Sequence, residues 1–542
     1  MTNKKFKLAA MSLATAVAVS AVGPSASAVT YYLGDGSVTV DKDDTRGAYS
    51  YQGEDGSEEH RTYVNEDEAD HGVINVKGGN APTEDVLPST DNSDNGTEET
   101  TPTDTTTDSS GNNAENSPTA ETTTGNTITV KEDVKDATIV VEGVNVDTST
   151  QTEVPVDAKE DKTIIKVGEG AKVDLTVKDS NLTTGGNGID IGVNLKGEDE
   201  NKGANVDLTL DNTKVNLTQN GKAGINVQDN SNVDLTLKGE NAIDGSKAIE
   251  NEDLKKNVNV EGIRVGGGGA GDGSGASEGA KTHLTISGGV EKTETAEADT
   301  EETESPAGGS LTISKTTGGL VMADGSDVEI TDGADVTIED TKTSSSTQAG
   351  RAVTQHGDLT LSGGSSLTID GVEDNAKQAS HTGIGIASWD DITVEDGSTL
   401  EISDATTGIY GHQGSDASLT VEDSALNIAG SSFGIDYEGA GKDKEGNVLK
   451  SAGDITFDNA EVDINITPET PNAAGYGIAA HGDSNITFKN GTEAEIKVTS
   501  ENPDAGTWGI YNERGGTGNL TVNDSTVDID ANRGIYAGFQ KV

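Results

Sequence analysis

The chain has 542 residues, no cysteine, 70 glycines and a formal net charge of −58. Aromatic residues make up 3% of it and hydrophobic residues 31%, which is too little for a compact globular core, so the chain is elongated, disordered or both. The charge excludes nucleic acids and anionic membrane surfaces as partners, because binding to either depends on Lys and Arg.

The first 28 residues are predicted to be a secretory signal peptide. Lys4, Lys5 and Lys7 form a basic region, a short apolar run covers 8–22, and Ala26-Ser27-Ala28 offers an A-x-A cleavage site. No later stretch approaches twenty apolar residues, so we expect no membrane-spanning segment in the mature chain. The protein is therefore expected to be exported, and without cysteine it has no disulfide framework.

Three regions of different composition follow the signal peptide. Residues 29–80 have aromatic and β-branched residues at strand-like spacing and are predicted to form a β-rich cap. Residues 81–125 are rich in Thr, Asp and Ser, lack Lys and Arg, and are predicted to be a disordered acidic segment. Residues 126–542 are periodic, and loop insertions at about 265–309 interrupt them with Gly-rich and acidic stretches.

The periodic region repeats one unit with variable spacing. Each unit has an aliphatic-Thr-aliphatic strand, a short polar turn, a second alternating strand, a loop and then Gly-Ile, as in "NLTVNDSTVDIDANRGIY" (519–536). A glycine before Ile is expected to supply a sharp bend or a positive φ. The Gly-Ile pair or a near equivalent begins at residues 188, 224, 262, 319, 350, 383, 408, 434, 477, 509 and 534.

The unit predicts an all-β solenoid. Period-two alternation turns the aliphatic residues to one face and the Thr to the other, and three short strands close one triangular coil. One coil buries too little to offset its ordering entropy, so coils must stack. Stacking aligns Thr393, Thr420, Thr456, Thr487 and Thr521 in one column. The sequence therefore predicts a parallel β-helix, right-handed by the general chirality of parallel connections.

The unit "LTV-x-D-S-x-V-x-I…G-I-Y" resembles the repeats of secreted β-helix surface proteins of Gram-positive gut bacteria. It is more loosely similar to the passenger domains of autotransporter adhesins. The likeness is good over 126–542 and weak over 29–80. It implies a pectin-lyase-like fold at the cell surface that makes adhesive or glycan contacts. No aromatic-rich membrane barrel of the autotransporter type follows the repeats.

Residues that would make the β-helix an enzyme are sparse. The chain has six arginines, none of them in the context expected of a pectate lyase or a polygalacturonase. Asp43-Asp44 and Asp390-Asp391 are the only adjacent aspartate pairs, and such neighbours are expected either to alternate faces or to lie in turns. We therefore expect no enzymatic activity. The alternative is a carbohydrate-active β-helix, a polysaccharide lyase or hydrolase, with an unrecognised site.

Calcium is the one cofactor for which the sequence holds a candidate. "GGNGID" (185–190) is close to a calcium-binding nonapeptide, but such sites need tandem copies and the motif occurs once. Asp190 is therefore either a weak calcium ligand or part of a solvated turn, and alternation is expected to turn it to solvent. No other cofactor is expected.

The few aromatic residues cluster near the Gly-Ile strands of the later coils. They either line a groove for sugars or close the core and its edges. The candidate glycan-binding residues are Trp389, Tyr410, His412, Tyr437, His481, Trp508, Tyr511 and Tyr536; Phe433, Tyr476 and His381 lie near them.

The sequence thus predicts a non-enzymatic, secreted and cell-surface-associated protein. It is an elongated β-helical adhesin or stalk that contacts host or dietary glycans, or surface proteins, through its outer face and loops. The last repeat ends without a visible cap, so we expect a monomer or one part of a longer chain.

Overall fold

The computed structural model describes residues 29–34, 36–42, 49–52, 58–64, 73–79, 124–149, 162–195, 202–250, 259–267, 280–289, 308–342, 350–373, 383–415, 417–439, 453–502, 504–512 and 517–536. The predicted signal peptide lies outside these residues, as does the predicted disordered segment except for Thr124 and Gly125.

The described chain is a parallel β-helix, as predicted, and its strands stack in three ladders. The first ladder contains Val29–Tyr32, Ile74–Lys77, Ala137–Glu142, Lys172–Lys178, Asn205–Asp211, Asn232–Lys238, Thr282–Gly288, Ser326–Thr331, Leu359–Leu361, Ile392–Val394, Leu419–Glu422, Ile455–Asp458, Ile486–Lys489 and Leu520–Asn523. The second contains Asn145–Asp147, Asn181–Thr184, Lys214–Leu217, Glu240–Asp244, Ser310–Ser314, Asp335–Thr341, Ser366–Val372, Thr399–Gly411, Ala425–Tyr437, Glu461–Ile466, Glu493–Val498 and Thr526–Ala531.

The third ladder carries the Gly-Ile motif. Thr399–Gly411 and Ala425–Tyr437 continue into it from the second ladder without a break. One short helix, Ser246–Glu250, lies between ladders. The other strands of the third ladder are Tyr49–Gln52, Glu58–Val64, Gly36–Lys42, Ile128–Val130, Ile165–Gly168, Ile189–Val193, Lys222–Val227, Val260–Val265, Gly318–Met322, Arg351–Gln355, Ile384–Ser388, Gly475–Ala480, Thr507–Tyr511 and Arg533–Tyr536.

The first ladder confirms the predicted Thr column. Thr393, Thr420, Thr456, Thr487 and Thr521 are partners in successive parallel pairings on its outer face. The hydrophobic residues on either side of Thr393, Thr420, Thr456 and Thr487 are buried, whereas Val522, beside Thr521 in the last described coil, is exposed. The regular alternation is possible because the turn to the second ladder is short, and its corner residue, an Asp or Asn, takes the left-handed conformation that these residues tolerate. Such corner residues are Asp179, Asn212, Asp423, Asn459, Asn490 and Asp524.

The Gly-Ile glycines serve close packing between coils, so the expected positive φ is wrong for most of them. Gly408, Gly434 and Gly477 are not among the residues with positive φ. A Cβ on Gly434 would lie 2.4 Å from Ile464 Cγ2 and 2.5 Å from the Gly477 carbonyl oxygen, both on the next coil. For two coils the sequence prediction chose the wrong residue. The positions that align with Gly408 are Ala352, not Gly350, and Gly385, not Gly383.

The core runs the length of the helix and is almost wholly aliphatic. Its largest members include Phe457 and Phe488, which stack on consecutive coils with ring centroids 5.0 Å apart. The predicted cap 29–80 shares these ladders, since Ile74–Lys77 pairs with Ala137–Glu142. Within the predicted insertion at about 265–309, Thr282–Gly288 is a strand of the first ladder. The hand of the helix stays a prediction.

Long connections flank the third ladder on both sides. From Ala137 onward, the described strands of the first and second ladders are joined by one to four residues, except at 289–309. The long connections that lead into or out of the third ladder are 148–164, 194–204, 245–259, 266–281, 342–350, 373–383, 412–418, 438–454, 467–474, 499–506 and 512–519. Most of the variation in connection length therefore falls next to the third-ladder strands along the chain.

No helix among the described residues is long and apolar enough to cross a membrane. In the last described coil, the hydrophobic residues Val522, Ile535 and Tyr536 are exposed.

Candidate binding face on the third ladder

The outward side of the third ladder, here called the third face, carries three columns of side chains. Each column contains one residue from each successive coil, because the strands pair in register. The front column is Arg351, Ile384, Thr407, Phe433, Tyr476, Trp508 and Arg533. The middle column is Thr354, Ala387, Tyr410, Asp436, Ala479, Tyr511 and Tyr536. The rear column is His356, Trp389, His412, Glu438 and His481.

Trp389 is the centre of a stack in the rear column. The centroid of its ring lies 4.2 Å from the ring centroid of His356 and 4.8 Å from that of His412, with interplanar angles of 12° and 21°. The guanidinium carbon of Arg351 lies 5.1 Å from the Trp389 centroid. The rings of Tyr410 and His412 are perpendicular, in an edge-to-face contact with their centroids 6.0 Å apart. The stack forms because parallel pairing repeats the same position about every 4.8 Å, the distance at which aromatic rings stack.

A second stack occupies the front column of the last coils. Tyr476 lies between Phe433 and Trp508, with centroids 4.8 Å and 5.0 Å away. The guanidinium carbon of Arg533 lies 4.7 Å from the Trp508 centroid and closes that end. Beside it, Tyr511 stacks on Tyr536 at 5.0 Å. In both stacks the ring faces are occupied by neighbouring side chains, which leaves ring edges and polar atoms to meet solvent.

Seven of the eight candidate residues lie on the third face, and Tyr437 does not. Tyr437 is 0% exposed and is one of the largest side chains of the core, so its assignment to a glycan-binding surface was wrong. It stands two residues after the inward Ile435, and period two therefore directs it inward. His381 lies outside the described residues. The remaining candidates are Trp389, Tyr410, His412, His481, Trp508, Tyr511 and Tyr536.

The middle of the third face is acidic and largely desolvated. Burial, and then a hydrogen bond to Glu438, raise the pKa of Tyr410 well above its usual range. Asp436 is buried, and its Oδ1 lies 3.4 Å from Nε2 of His481. Burial also raises the pKa of Tyr476, with a smaller contribution from Tyr511. The hydroxyls of Tyr410 and Tyr476 therefore stay protonated, as hydrogen-bond donors, well above neutral pH.

Three aspartates meet at the corner next to Trp389. Carboxylate oxygens of Asp358, Asp390 and Asp391 lie within 4.8 Å of one another. Asp391 Oδ1 also accepts the backbone N–H of Ser418 at 3.0 Å. Burial, and then the negative charge of Asp358, raise the pKa of Asp390 to about 6. Asp390 and Asp391 precede the strand Ile392–Val394 and lie at a bend, the second of the two placements expected from the sequence, and their carboxylates approach each other there.

The raised pKa of Asp390 gives a testable pH dependence. The folded chain holds this proton more tightly than the unfolded chain, in which Asp titrates near about 3.9. Its contribution to stability is therefore full below about pH 4 and is lost as the pH rises through about 6. We expect Asp358→Asn to lower the pKa of Asp390 part of the way, because burial, the larger cause, remains. Carboxyl-carbon NMR titration of aspartate-labelled protein measures this.

Asp528→Asn, which removes an aspartate from the second ladder of the last coil, is the control and should leave the pKa of Asp390 unchanged. An Asp390 pKa that does not move in the Asp358→Asn protein would contradict the electrostatic contact between these two groups.

Asp190 belongs to a polar network on the same face, several coils earlier. Its exposed fraction is 6%, so the expectation that it faces solvent was wrong. Its carboxylate accepts hydrogen bonds from Asn187 Nδ2 at 2.8 Å, Asn226 Nδ2 at 2.8 Å and Gln228 Nε2 at 3.0 Å. Amide nitrogens, which do not ligate calcium, thus occupy its oxygens. Calcium binding elsewhere on the chain stays a prediction.

A buried ion pair adjoins this network. Arg264 donates from Nε and Nη2 to the two carboxylate oxygens of Glu261. Glu261 is 2% exposed and also accepts a hydrogen bond from Asn259 Nδ2 at 2.9 Å. Arg264 aligns with Asn226, which aligns with Asp190, so the three occupy one column. A bidentate geometry of this kind holds both side chains in one orientation.

Sequence reasoning missed the arginines of this face. Arg264, Arg351 and Arg533 are half of the chain's six arginines, and all three lie on the third face. A signal was present, because each stands within two residues of a Gly-Ile pair or its equivalent. This concentration of arginines distinguishes the third face from the other two.

No family model, no curated protein and no solved structure matches this chain. The resemblance to secreted β-helix surface proteins stays a prediction.

Proposed function

We propose that the protein is an exported, non-catalytic β-helical binding protein that contacts glycans through its third face. The observation that carries this proposal is the convergence on one face of both tryptophans, three arginines and three histidines. Long connections border the same face, as is common for binding surfaces on rigid scaffolds. Export rests on the predicted signal peptide, and attachment to the cell surface on the resemblance of the repeats.

The chemistry of the third face suits sugars more than flat apolar ligands. Ring edges alternate with hydrogen-bonding groups such as the Arg533 guanidinium and the Tyr511 hydroxyl, and sugars present both C–H and O–H groups. The columns run along the helix axis for several coils, each about 4.8 Å from the next. A chain-like ligand lying along the axis could therefore contact successive coils.

The test is calorimetric titration of the full chain with a panel of neutral and acidic oligosaccharides. We expect Trp389→Ala or Trp508→Ala to weaken binding of the best oligosaccharide about tenfold, because a ring contact contributes about 0.5–1.5 kcal/mol beyond buried area. Thr420→Ala, on the outer face of the first ladder, is the control and should bind normally. Unchanged affinity in both tryptophan variants, with folding verified by circular dichroism, would count against the ring stacks as the binding surface.

A carbohydrate-active enzyme is the second candidate, and one observation favours it. Asp390, with its pKa raised to about 6, lies beside Asp358 and next to Trp389. A carboxyl group with a raised pKa beside a second carboxyl group is the arrangement that glycosidases use for acid catalysis. Incubation of the same oligosaccharides with wild-type and Asp390→Asn protein distinguishes the two. Product release by the wild type alone would replace the binding proposal with this one.

A further inference from the structure

A polar cleft on the third face lies several coils before the aromatic stacks. It is lined by Asn187, Lys222, Asn226, Gln228 and Arg264, together with Glu261. The middle column holds Asp190, Asn226 and Arg264 here. In later coils the same column holds Val321, Thr354 and Ala387. On these three consecutive coils, all of which border the cleft, the column holds charged or amide side chains.

The side chains of the cleft are held rigidly by one another. The Asp190 carboxylate fixes the amide nitrogens of Asn187, Asn226 and Gln228, and the Glu261 carboxylate fixes Arg264 through two hydrogen bonds. Buried polar groups are costly unless satisfied, and a fully connected network of this kind is stable and stiff. The cleft is therefore preorganised, which lowers the ordering cost of binding a ligand.

Among the described residues, the bonds within the network leave several polar atoms of the lining residues unused. Arg264 donates hydrogen bonds from Nε and Nη2 to Glu261, so its Nη1 group is not used by this ion pair. Asn226 and Gln228 donate hydrogen bonds from their amide nitrogens to Asp190, and these bonds do not involve their amide oxygens. Lys222 lines the cleft and adds an ammonium group. The free groups are thus both donors and acceptors, and hydroxyl groups are the ligand class that pairs with both.

The charges of the cleft cancel. The lining residues Lys222 and Arg264 are balanced by Glu261 in the lining and by Asp190, which is hydrogen-bonded to three lining residues, while the whole chain carries −58. An anionic sugar polymer would meet no net attraction in the cleft and would be repelled by the rest of the chain. Because polar groups dominate the lining, recognition here depends on hydrogen bonds rather than on ring stacking.

We propose that this cleft recognises the hydroxyl groups of one sugar residue of a neutral glycan. The inference rests on the proposed glycan-binding function and names the part of the third face that selects the sugar. The amide oxygens of Asn226 and Gln228 accept sugar hydroxyls, and Arg264 Nη1 and the Lys222 ammonium donate to sugar oxygens. The aromatic stacks then extend the contact along the helix axis.

The experiment combines mapping and mutagenesis on the full chain. The probes are cellotetraose, mannotetraose, xylotetraose and trigalacturonate. We expect a neutral probe to slow amide hydrogen exchange in Lys222–Val227 and Val260–Val265. Lys222→Ala should weaken its binding about tenfold, because it removes a charged hydrogen-bond donor from the lining of the cleft. Lys238→Ala, which removes the same charge from the first ladder of an adjacent coil, is the matched control.

A double variant, Glu261→Ala with Arg264→Ala, guards against misfolding because it leaves no unpaired buried charge. It too should lose binding while keeping a wild-type circular dichroism spectrum. Exchange protection confined to 384–411 or 507–536, with unchanged affinity in Lys222→Ala, would overturn the cleft and leave the proposed function standing. Tighter binding of trigalacturonate than of the neutral probes would overturn the neutral class. If none of the four probes binds, the proposed function fails, and this inference with it.

Discussion

Tyr437→Ala is expected to destabilise the protein by about 3–5 kcal/mol, the usual cost of truncating a fully buried aromatic residue. The ring of Tyr437 is 0% exposed and lies over Gly411, the residue at the same position on the preceding coil. A Cβ on Gly411 would lie 2.7 Å from Tyr437 Cδ1, so ring and glycine fill one space together. Removing the ring leaves a cavity that the backbones of neighbouring coils cannot close. Urea unfolding followed by circular dichroism measures the loss.

Tyr437→Phe is the matched variant and should have the opposite sign. The hydroxyl of Tyr437 is buried and has no hydrogen-bond partner among the described residues. Burying an unsatisfied hydroxyl costs about 1–3 kcal/mol, so its removal is expected to stabilise the protein by about 1 kcal/mol. Oligosaccharide binding should be the same in Tyr437→Phe and wild-type protein. A Tyr437→Phe protein that folds normally but loses oligosaccharide binding would show that this hydroxyl reaches a ligand, against its burial.

Gly408→Ala is expected to destabilise the protein by about 1–2 kcal/mol through overpacking. Its new Cβ would lie 2.6 Å from the Gly434 carbonyl oxygen and 2.6 Å from Ile428 Cγ2, so two coils would have to move apart. Ala352 occupies the aligned position of another coil, which shows that the ladder can accommodate one methyl group and keeps the expected cost at the lower end. The midpoint of urea unfolding should fall accordingly.

Gly534→Ala is the control, because Gly534 begins a second tripeptide of the same sequence. Gly408-Ile409-Tyr410 and Gly534-Ile535-Tyr536 have identical sequences, yet a Cβ on Gly534 meets no atom of the described residues within 4 Å. Neither glycine has a positive φ, so conformational preference does not separate them. Gly534→Ala should leave the midpoint unchanged or slightly higher. Equal destabilisation by the two substitutions would refute packing between coils as the reason for glycine at this position.

Much of the fold could be predicted from the sequence because its causes are local and repeated. Alternation of Leu or Ile with Thr predicts which side of a strand is buried, and the repeat places Thr393 beside Thr420 on the next coil. The same alternation also assigns Tyr437 to the core, because Tyr437 stands two residues after the inward Ile435. The positions of Gly350 and Gly383 were misjudged because a second glycine, or an alanine, stands two residues later.

The candidate site was less predictable, because its contacts join residues that are far apart in sequence. Asp190 follows an inward Ile, and alternation correctly turns it away from the core. It is nevertheless buried, since Asn226 and Gln228 of the next coil close over it. Trp389 could be assigned to the third face, but its coverage by His356 and His412 depends on the lengths of the intervening connections.

The sequence by itself determined that this chain is a stack of three-stranded coils with an aliphatic core and a Thr-lined first face. That follows from the period-two geometry of a strand and from the inability of a single coil to bury enough apolar surface. Only the tertiary structure decided how the third face is built: ring faces that cover one another, arginines gathered from three distant coils, and a neutral polar cleft. Burial and charge pairing there depend on the alignment of whole coils, which no single repeat encodes.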